Sequence, residues 1–163
     1  RRFFAVNMGG QYAELVGEGP RILSDPEVTW RSDETFTLFD DCMSLPWVLC
    51  AVRRHLSISV SFTNEQGERE DWEGVPQPLS ELLQHELDHL DGVLLTDRAL
   101  NQHSLISREE FEKDPERFAG DQRSRSLLSV PRRRRSNRLL CTQVRLTTSS
   151  HRRSQTNEPS KGR

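Results

Sequence analysis

One segment of the chain, Leu79–Leu90, has the pattern of a helix with a single apolar face. Four of its leucines follow one another at spacings of three or four residues and lie within about 80° on a helical wheel, and Leu82 widens this apolar sector to about 140°. Gly92 follows the last turn, where the end of a helix favours a residue that is free to adopt a left-handed conformation. The segment therefore predicts a helix that packs its leucine stripe against the core.

The same segment contains the pattern H-E-x-x-H, from His85 to His89. The two histidines lie about 40° apart on the wheel and one turn from each other, so both can reach one metal ion. Glu86 falls inside the apolar sector, where a carboxylate is expensive to bury unless it is paired or works at a site. Asp88 and Asp91 fall on the opposite side, and we expect them to face solvent.

Two histidines leave a hydrolytic metal site one ligand short, because such sites use about three protein ligands and one open position. A thermolysin-like metallopeptidase would take its third ligand from a downstream glutamate, here Glu109 or Glu110. The other candidate is Cys42, which lies 43 residues before His85. Taken alone, Cys42 is more typical of a small buried apolar side chain. Spacing leaves both alternatives open.

Several segments before the helix favour strands. Leu56–Phe62 alternates apolar residues with serines, which predicts a strand with one buried face. Phe3–Met8 and a short segment near Val28–Trp30 predict two more strands, whereas Pro20–Pro26 predicts a loop. A turn and a polar edge strand are expected at 64–73. Short strands followed by one long striped helix indicate an α+β fold.

The chain changes character after residue 121. Residues 1–121 carry 24 acidic and 11 basic side chains, whereas residues 122–163 carry one acidic side chain, 12 basic ones and no aromatic residue. We predict a folded domain over 1–121, whose last helix starts near Ser107 and is interrupted at Asp114-Pro115. We expect 122–163 to be a disordered, Arg- and Ser-rich solvated tail, with contact to nucleic acid as the alternative.

These features together resemble the peptide deformylases. That family pairs an E-G-C-L-S segment with a Q-H-E-x-D-H-L-x-G helix, and this chain has D-D-C-M-S at Asp40–Ser44 and Q-H-E-L-D-H-L-D-G at Gln84–Gly92, at the matching distance. The likeness covers roughly residues 3–120. Asp40-Asp41 replaces the family's Glu-Gly. The family's Gly-rich loop, with its glutamine, is absent, and we expect the chain to begin just after that loop.

The resemblance implies antiparallel sheets around a central metal-binding H-E-x-x-H helix, with Cys42 on a neighbouring strand. It implies that Cys42, His85 and His89 hold Fe²⁺, for which Zn²⁺ or Ni²⁺ can substitute. Glu86 would then act as the general base for a water activated by the ion, which attacks the formyl carbon. The implied activity is hydrolytic removal of a formyl group.

The implied substrate is the N-formyl-methionyl end of a newly made polypeptide, met beside the ribosome. Met43 would stabilise the developing oxyanion through its backbone N–H, and Leu82 would line a methionine pocket. Asp40 and Arg54 are expected to pair behind the ligands. An inactive, truncated relative that keeps the metal as a structural staple is the remaining alternative.

The sequence does not indicate the cellular compartment of the protein. Deformylases act in the bacterial cytoplasm or in mitochondria and plastids, and no targeting segment is visible in this sequence. No apolar run approaches the ~20 residues of a membrane span, so we expect no membrane partner.

Overall fold

The computed structural model describes residues 2–8 and 12–119. Within them, seven strands form two antiparallel sheets, of order β1-β2-β5-β6 and β3-β4-β7. The strands are β1 Phe3–Val6, β2 Arg21–Arg31, β3 Thr35–Cys42, β4 Leu45–His55, β5 Ile58–Thr63, β6 Arg69–Trp72 and β7 Leu105–Ser107. The helices are α1 Ala13–Val16, α2 Gln77–Leu90, α3 Arg108–Lys113 and α4 Pro115–Ala119, with a 3₁₀ turn at Leu95–Arg98. The predicted α+β class is confirmed.

Helix α2 packs its apolar stripe against the first sheet. Leu79, Leu83 and Leu87 are buried. Their neighbours are apolar side chains from all four strands of that sheet: Phe4, Val6, Leu23, Ile58, Val60, Phe62 and Trp72. Burying the stripe fixes the rotation of the helix about its axis. As a result, the side of α2 that carries His85 faces Asp40 at the end of β3 in the second sheet.

The alternating strand is confirmed, with a later start than expected. Ile58, Val60 and Phe62 are almost completely buried on the face that α2 covers. The strand begins at Ile58 rather than at Leu56, because Leu56 belongs to the crossing from the second sheet to the first. Its side chain packs against the second core instead. Similarly, the first strand ends at Val6, two residues before the expected limit.

The loop predicted at Pro20–Pro26 is wrong, because β2 runs through it. A proline cannot donate to the strand ladder, and sheets tolerate it at an edge or at a bulge. Pro26 sits at such a bulge: the pairing of β2 with β5 changes register between Ser24 and Glu27. Asp25 adopts a left-handed conformation there, with φ of 47°.

The second sheet carries its own core. Strands β3 and β4 form a long hairpin that pairs from Thr35 opposite His55 down to Cys42 opposite Leu45. Their inward side chains, together with Leu95 of the 3₁₀ turn, form a second buried cluster: Phe36, Leu38, Cys42, Cys50, Val52 and Leu95. This hairpin is the element that presents Cys42 to α2.

The C-terminal helices follow their predicted boundaries. The Ser107 hydroxyl accepts a hydrogen bond from the backbone N–H of Glu110 at 3.0 Å and so caps α3, and Asp114-Pro115 separates α3 from α4. The predicted boundary at 121 and the predicted tail, 122–163, lie outside the described residues. None of the helices in the described residues has the length and hydrophobicity of a membrane span.

Candidate metal centre

Three side chains that are distant in sequence converge between α2 and the β3–β4 hairpin. Cys42 is the last residue of β3, and His85 and His89 lie one turn apart on α2. One ligand atom from each lies within 4.8 Å of the other two, and Sγ of Cys42 is 3.3 Å from Nε2 of His89. Cys42 and His85 are buried and His89 is half-buried. These are the three residues that the sequence resemblance implied as ligands.

The second ring nitrogen of each histidine is held by another group. Nδ1 of His85 donates to Oδ2 of Asp40 at 3.0 Å, and Nδ1 of His89 donates to the backbone carbonyl of Val93 at 3.3 Å. Such bonds fix the tautomer and the orientation of a metal-binding imidazole. They leave Nε2 of both rings available to an ion beside Cys42.

The donor set fits a transition-metal ion. One thiolate and two imidazole nitrogens are ligands of zinc and of late first-row divalent metals, and three protein ligands leave one position open for water or substrate. Within residues 2–8 and 12–119, this is the one group of three Cys, His or acidic side chains close enough together to hold an ion.

The site holds its cysteine as a thiolate. Burial by itself would raise the pKa of the Cys42 thiol, but hydrogen bonds with His85 and His89 and with the backbone N–H of Ser44 outweigh burial and lower that pKa to about 5. A thiolate is the form that binds metal. In the opposite direction, burial disfavours the imidazolium of His85, yet its bonds with Asp40 and Cys42 raise the pKa of His85 to about 10.

Asp40 and Arg54 form the expected pair behind the ligands. Nη2 and Nε of Arg54 lie 2.7 and 3.1 Å from Oδ2 of Asp40, and both residues are buried. Burial alone would raise the pKa of Asp40, but the bonds and charges of His85 and Arg54 keep it lowered. Asp40 therefore stays a carboxylate that can orient His85.

The expectation that Asp88 faces solvent is wrong. Its side chain is only 13% exposed, and its two oxygens pair with Arg54 at 3.0 Å and with Arg98 at 2.5 Å. The physical reason is that β4 and the 3₁₀ turn cover this side of α2. Asp91 is exposed, as expected, and pairs with Arg2 at 2.6 Å.

Glu86 is buried next to the ligands. Glu86 is 8% exposed, as its position within the apolar sector of the helix predicts. The pKa of His89 is raised, first by the hydrogen bond with Cys42 and in smaller part by the charge of Glu86. Glu86 is therefore a buried carboxylate whose charge acts on one of the candidate ligands.

The thermolysin-like alternative has no support in the geometry. Glu109 and Glu110 are exposed on α3, where they pair with Lys113 at 2.7 Å and with Arg117 at 3.6 Å. Neither glutamate belongs to the group around His85.

Met43 and Leu82 differ in their surroundings. Met43 follows Cys42 in the turn between β3 and β4, and its side chain is exposed. Leu82 is half-buried and packs against the core of the first sheet. The roles predicted for the Met43 backbone N–H and for Leu82 therefore stay predictions.

Sequence reasoning missed several supporting groups. The side-chain amide of Gln84 bonds to both backbone groups of His55 at 2.9 Å, which ties α2 to the end of β4. The carbonyl of Val93 and the N–H of Ser44 are backbone groups, which a side-chain pattern cannot reveal. Gln84 could have been found, since it precedes the H-E-x-x-H pattern in the segment that carries the resemblance.

Comparisons with known proteins agree with the geometry. The family model described as polypeptide deformylase matches residues 1–104. A peptide deformylase of Caulobacter sp. (strain K31) is 40% identical over 88 residues, 52% of this chain and 50% of the relative. That of Thermotoga neapolitana is 33% identical over 113 residues, 68% of this chain and 62% of the relative. The chain thus spans about half to three-fifths of the length of these relatives.

Solved structures show the same fold. A probable peptide deformylase from Synechococcus phage S-SSM7 superimposes with a TM-score of 0.53 at 30% identity, over 60% of this chain and 64% of that one. The peptide deformylase of Plasmodium falciparum gives a TM-score of 0.55 at 24% identity, over 74% and 66% of the two chains. The latter likeness concerns the fold alone.

Proposed function

Because the chain belongs to the polypeptide deformylase family, we propose that it is a metal-dependent hydrolase that removes the N-formyl group from the N-terminal methionine of newly made polypeptides. The observation that carries this proposal is the convergence of one thiolate and two imidazoles beside a buried glutamate. The products are formate and a polypeptide with a free α-amino group.

Cys42, His85 and His89 would hold the metal ion. We propose Fe²⁺, with Zn²⁺ and Ni²⁺ as substitutes, because a thiolate and two imidazoles suit all three. When bound, such an ion lowers the pKa of a water molecule toward ~7 and polarises a carbonyl oxygen. Asp40 orients the ring of His85 through its hydrogen bond with Nδ1. The thiolate of Cys42 is already formed at neutral pH because its pKa is about 5.

Glu86 moves the proton. Its carboxylate takes one proton from the water whose oxygen bonds to the formyl carbon, and it delivers that proton to the amine nitrogen as the C–N bond breaks. Burial of Glu86 beside His89 supports this role, because a general base must lie within reach of the proton that it abstracts.

The turn after Cys42 supplies a hydrogen-bond donor. The backbone N–H of Met43 would stabilise the formyl oxygen as negative charge develops on it, a contact that typically contributes ~10²–10³ in turnover. Recognition of the methionine side chain by Leu82, and contacts of the chain with the ribosome, are further parts of the proposal.

The test is formate release from formyl-Met-Ala-Ser by the full chain loaded with Fe²⁺ in the absence of oxygen, with metal content measured in parallel. We expect wild type to release formate, Glu86→Gln to keep its metal but lose ~10²-fold or more of the activity, and Cys42→Ala to lose the metal. Leu94→Ala, an exposed leucine near the same helix, is the control and should match wild type.

Two results would contradict the proposal. Stoichiometric metal without formate release in wild type would favour a relative that uses the ion as a structural staple. Full metal retention in Cys42→Ala would remove the thiolate from the ligand set.

A further inference from the structure

The ladder between β3 and β4 breaks next to the candidate metal ligand. Asp41 pairs with Leu49, but its neighbour Cys42 pairs with Leu45, so the register shifts between two successive residues of β3. The residues from Pro46 to Val48 consequently have no partner on β3. Bulged pairs lose ladder hydrogen bonds, and here the irregularity lies directly beside Cys42 and Met43.

Arg108 spans this break with one side chain. Its Nη2 donates to Oδ2 of Asp41 at 2.6 Å, on the β3 side. Its Nε donates to the backbone carbonyl of Pro46 at 2.5 Å, on the β4 side. A guanidinium suits this task because its N–H groups point in fixed directions from one plane. The two bonds join the strands where the backbone ladder does not.

The fold delivers Arg108 to this position. Strand β7 pairs with β4 next to the bulge, with Ser107 opposite Val48. Arg108 follows as the first residue of α3, after the Ser107 cap. Asp41, one partner in the ion pair, stands where the quoted family motif has glycine. The motif therefore does not imply this contact.

We propose that Arg108 is a positioning residue that, through Asp41 and Pro46, holds the turn carrying Cys42 and Met43 in the geometry needed at the metal centre. The metal-related part of this inference rests on the function proposed above. An ion pair in contact with solvent contributes little stability by itself. The side chain of Asp41 is 59% exposed and that of Arg108 is 35% exposed. The expected effect is therefore local: the site loosens and the fold stays intact.

The first measurement does not depend on metal. Hydrogen exchange of the metal-free full chain, followed by mass spectrometry, reports on peptides that cover 41–48. We expect Arg108→Ala to speed exchange of these peptides about fivefold to tenfold, with peptides of α2 unchanged. Arg108→Lys keeps the charge but cannot reach both partners at once, so it should restore the rate only in part. Arg117→Ala, at an ion pair of α4, is the matched control.

The second measurement uses Co²⁺ as the probe. We expect wild type to show the near-ultraviolet sulfur-to-cobalt absorption of a bound thiolate, and Arg108→Ala to bind Co²⁺ about tenfold more weakly, with a shifted band. Asp41→Ala should behave like Arg108→Ala, and the double variant should be no worse than either, since the residues act as one unit.

The outcomes separate the two proposals. If wild type and Cys42→Ala give the same cobalt spectrum, the proposed metal centre fails, whereas the exchange data still test Arg108. If Arg108→Ala matches wild type in both exchange and Co²⁺ binding, or if Arg117→Ala gives the same changes, the positioning role is overturned.

Discussion

A single oxygen atom, Oδ2 of Asp40, accepts two hydrogen bonds from Arg54, at 2.7 and 3.1 Å, and a third from Nδ1 of His85, at 3.0 Å. Both Asp40 and Arg54 are buried. The guanidinium also reaches Asp88 on α2 at 3.0 Å. One buried cation thus joins the β3–β4 hairpin to the helix that carries both histidines.

Removing the Arg54 side chain should destabilise the whole domain. Arg54→Ala leaves the buried carboxylate of Asp40 without its guanidinium partner, and breaking a buried pair in this way typically costs about 3–5 kcal/mol. Denaturant unfolding of the metal-free chain measures the loss. Arg53→Ala, the exposed neighbour on the same strand, is the control and should change the unfolding free energy little. A loss below ~1 kcal/mol for Arg54→Ala would show that the pair does not stabilise the fold.

Neutralising Asp40 should weaken metal binding. Asp40→Asn keeps the shape of the side chain but removes the charge that supports His85, and changes of such supporting groups typically cost 10–100-fold in metal affinity. Competition with a chelator for Zn²⁺ measures the affinity. Asp33→Asn, at an exposed turn, should leave it unchanged. Equal affinities for Asp40→Asn and wild type would contradict the role assigned to the carboxylate.

Zinc binding should release protons that come from imidazole. With the pKa of Cys42 at about 5 and that of His85 at about 10, the metal-free site at pH 7 holds a thiolate and an imidazolium. Binding needs the neutral ring, so His85 must lose its proton and the apparent affinity must rise with pH across the neutral range. Calorimetry in buffers of different ionisation enthalpy counts the protons. A pH-independent affinity would exclude an imidazolium in the free site.

Glu81 should make stability fall as pH rises through neutrality. It is half-buried on α2, one turn before His85. Burial and the charge of Asp40 raise the pKa of Glu81 from its ordinary value of 4.5 to about 7, against the opposing charges of Arg54 and His85. A carboxyl with a raised pKa contributes its stabilising effect below pH 4.5 and loses it as pH climbs to about 7.

The variant Glu81→Gln imitates the protonated carboxyl at every pH. We therefore expect its Tm, in the metal-free chain, to exceed that of wild type at pH 8 and to approach it near pH 5. Glu112→Gln, exposed on α3, is the matched control. A wild-type Tm that follows the Glu81→Gln curve across this range would show that Glu81 is ionised without penalty.

The periodicity of apolar residues correctly predicted the buried faces of α2 and β5. The leucine stripe of α2 and the alternation at Ile58, Val60 and Phe62 each describe one face of one element, and both faces are buried as expected. The spacing of His85 and His89 placed two candidate nitrogen ligands on one side of a helix for the same reason. Cys42 needed the family resemblance, because its distance from the helix is set by packing and not by local spacing.

The errors arose where another element decides the environment of a residue. Asp88 lies opposite the apolar stripe on the wheel, yet Arg54 and Arg98 cover it from β4 and from the 3₁₀ turn. Pro26 is a loop residue by composition, yet a register shift against β5 lets the strand continue. Strands β3 and β4 have no turn signal of the kind that marks most hairpins, since Met43-Ser44 joins them.

The three candidate ligands belong to layers with separate cores: Cys42 is part of the second buried cluster, whereas α2 packs on the first. An ion held by all three would cross-link these layers as a disulfide cross-links two segments, although reversibly. Domain stability would then depend on free metal concentration through mass action. Conversely, a substitution that loosens the first core, such as one at Trp72 on β6, would weaken metal affinity by letting the two layers separate.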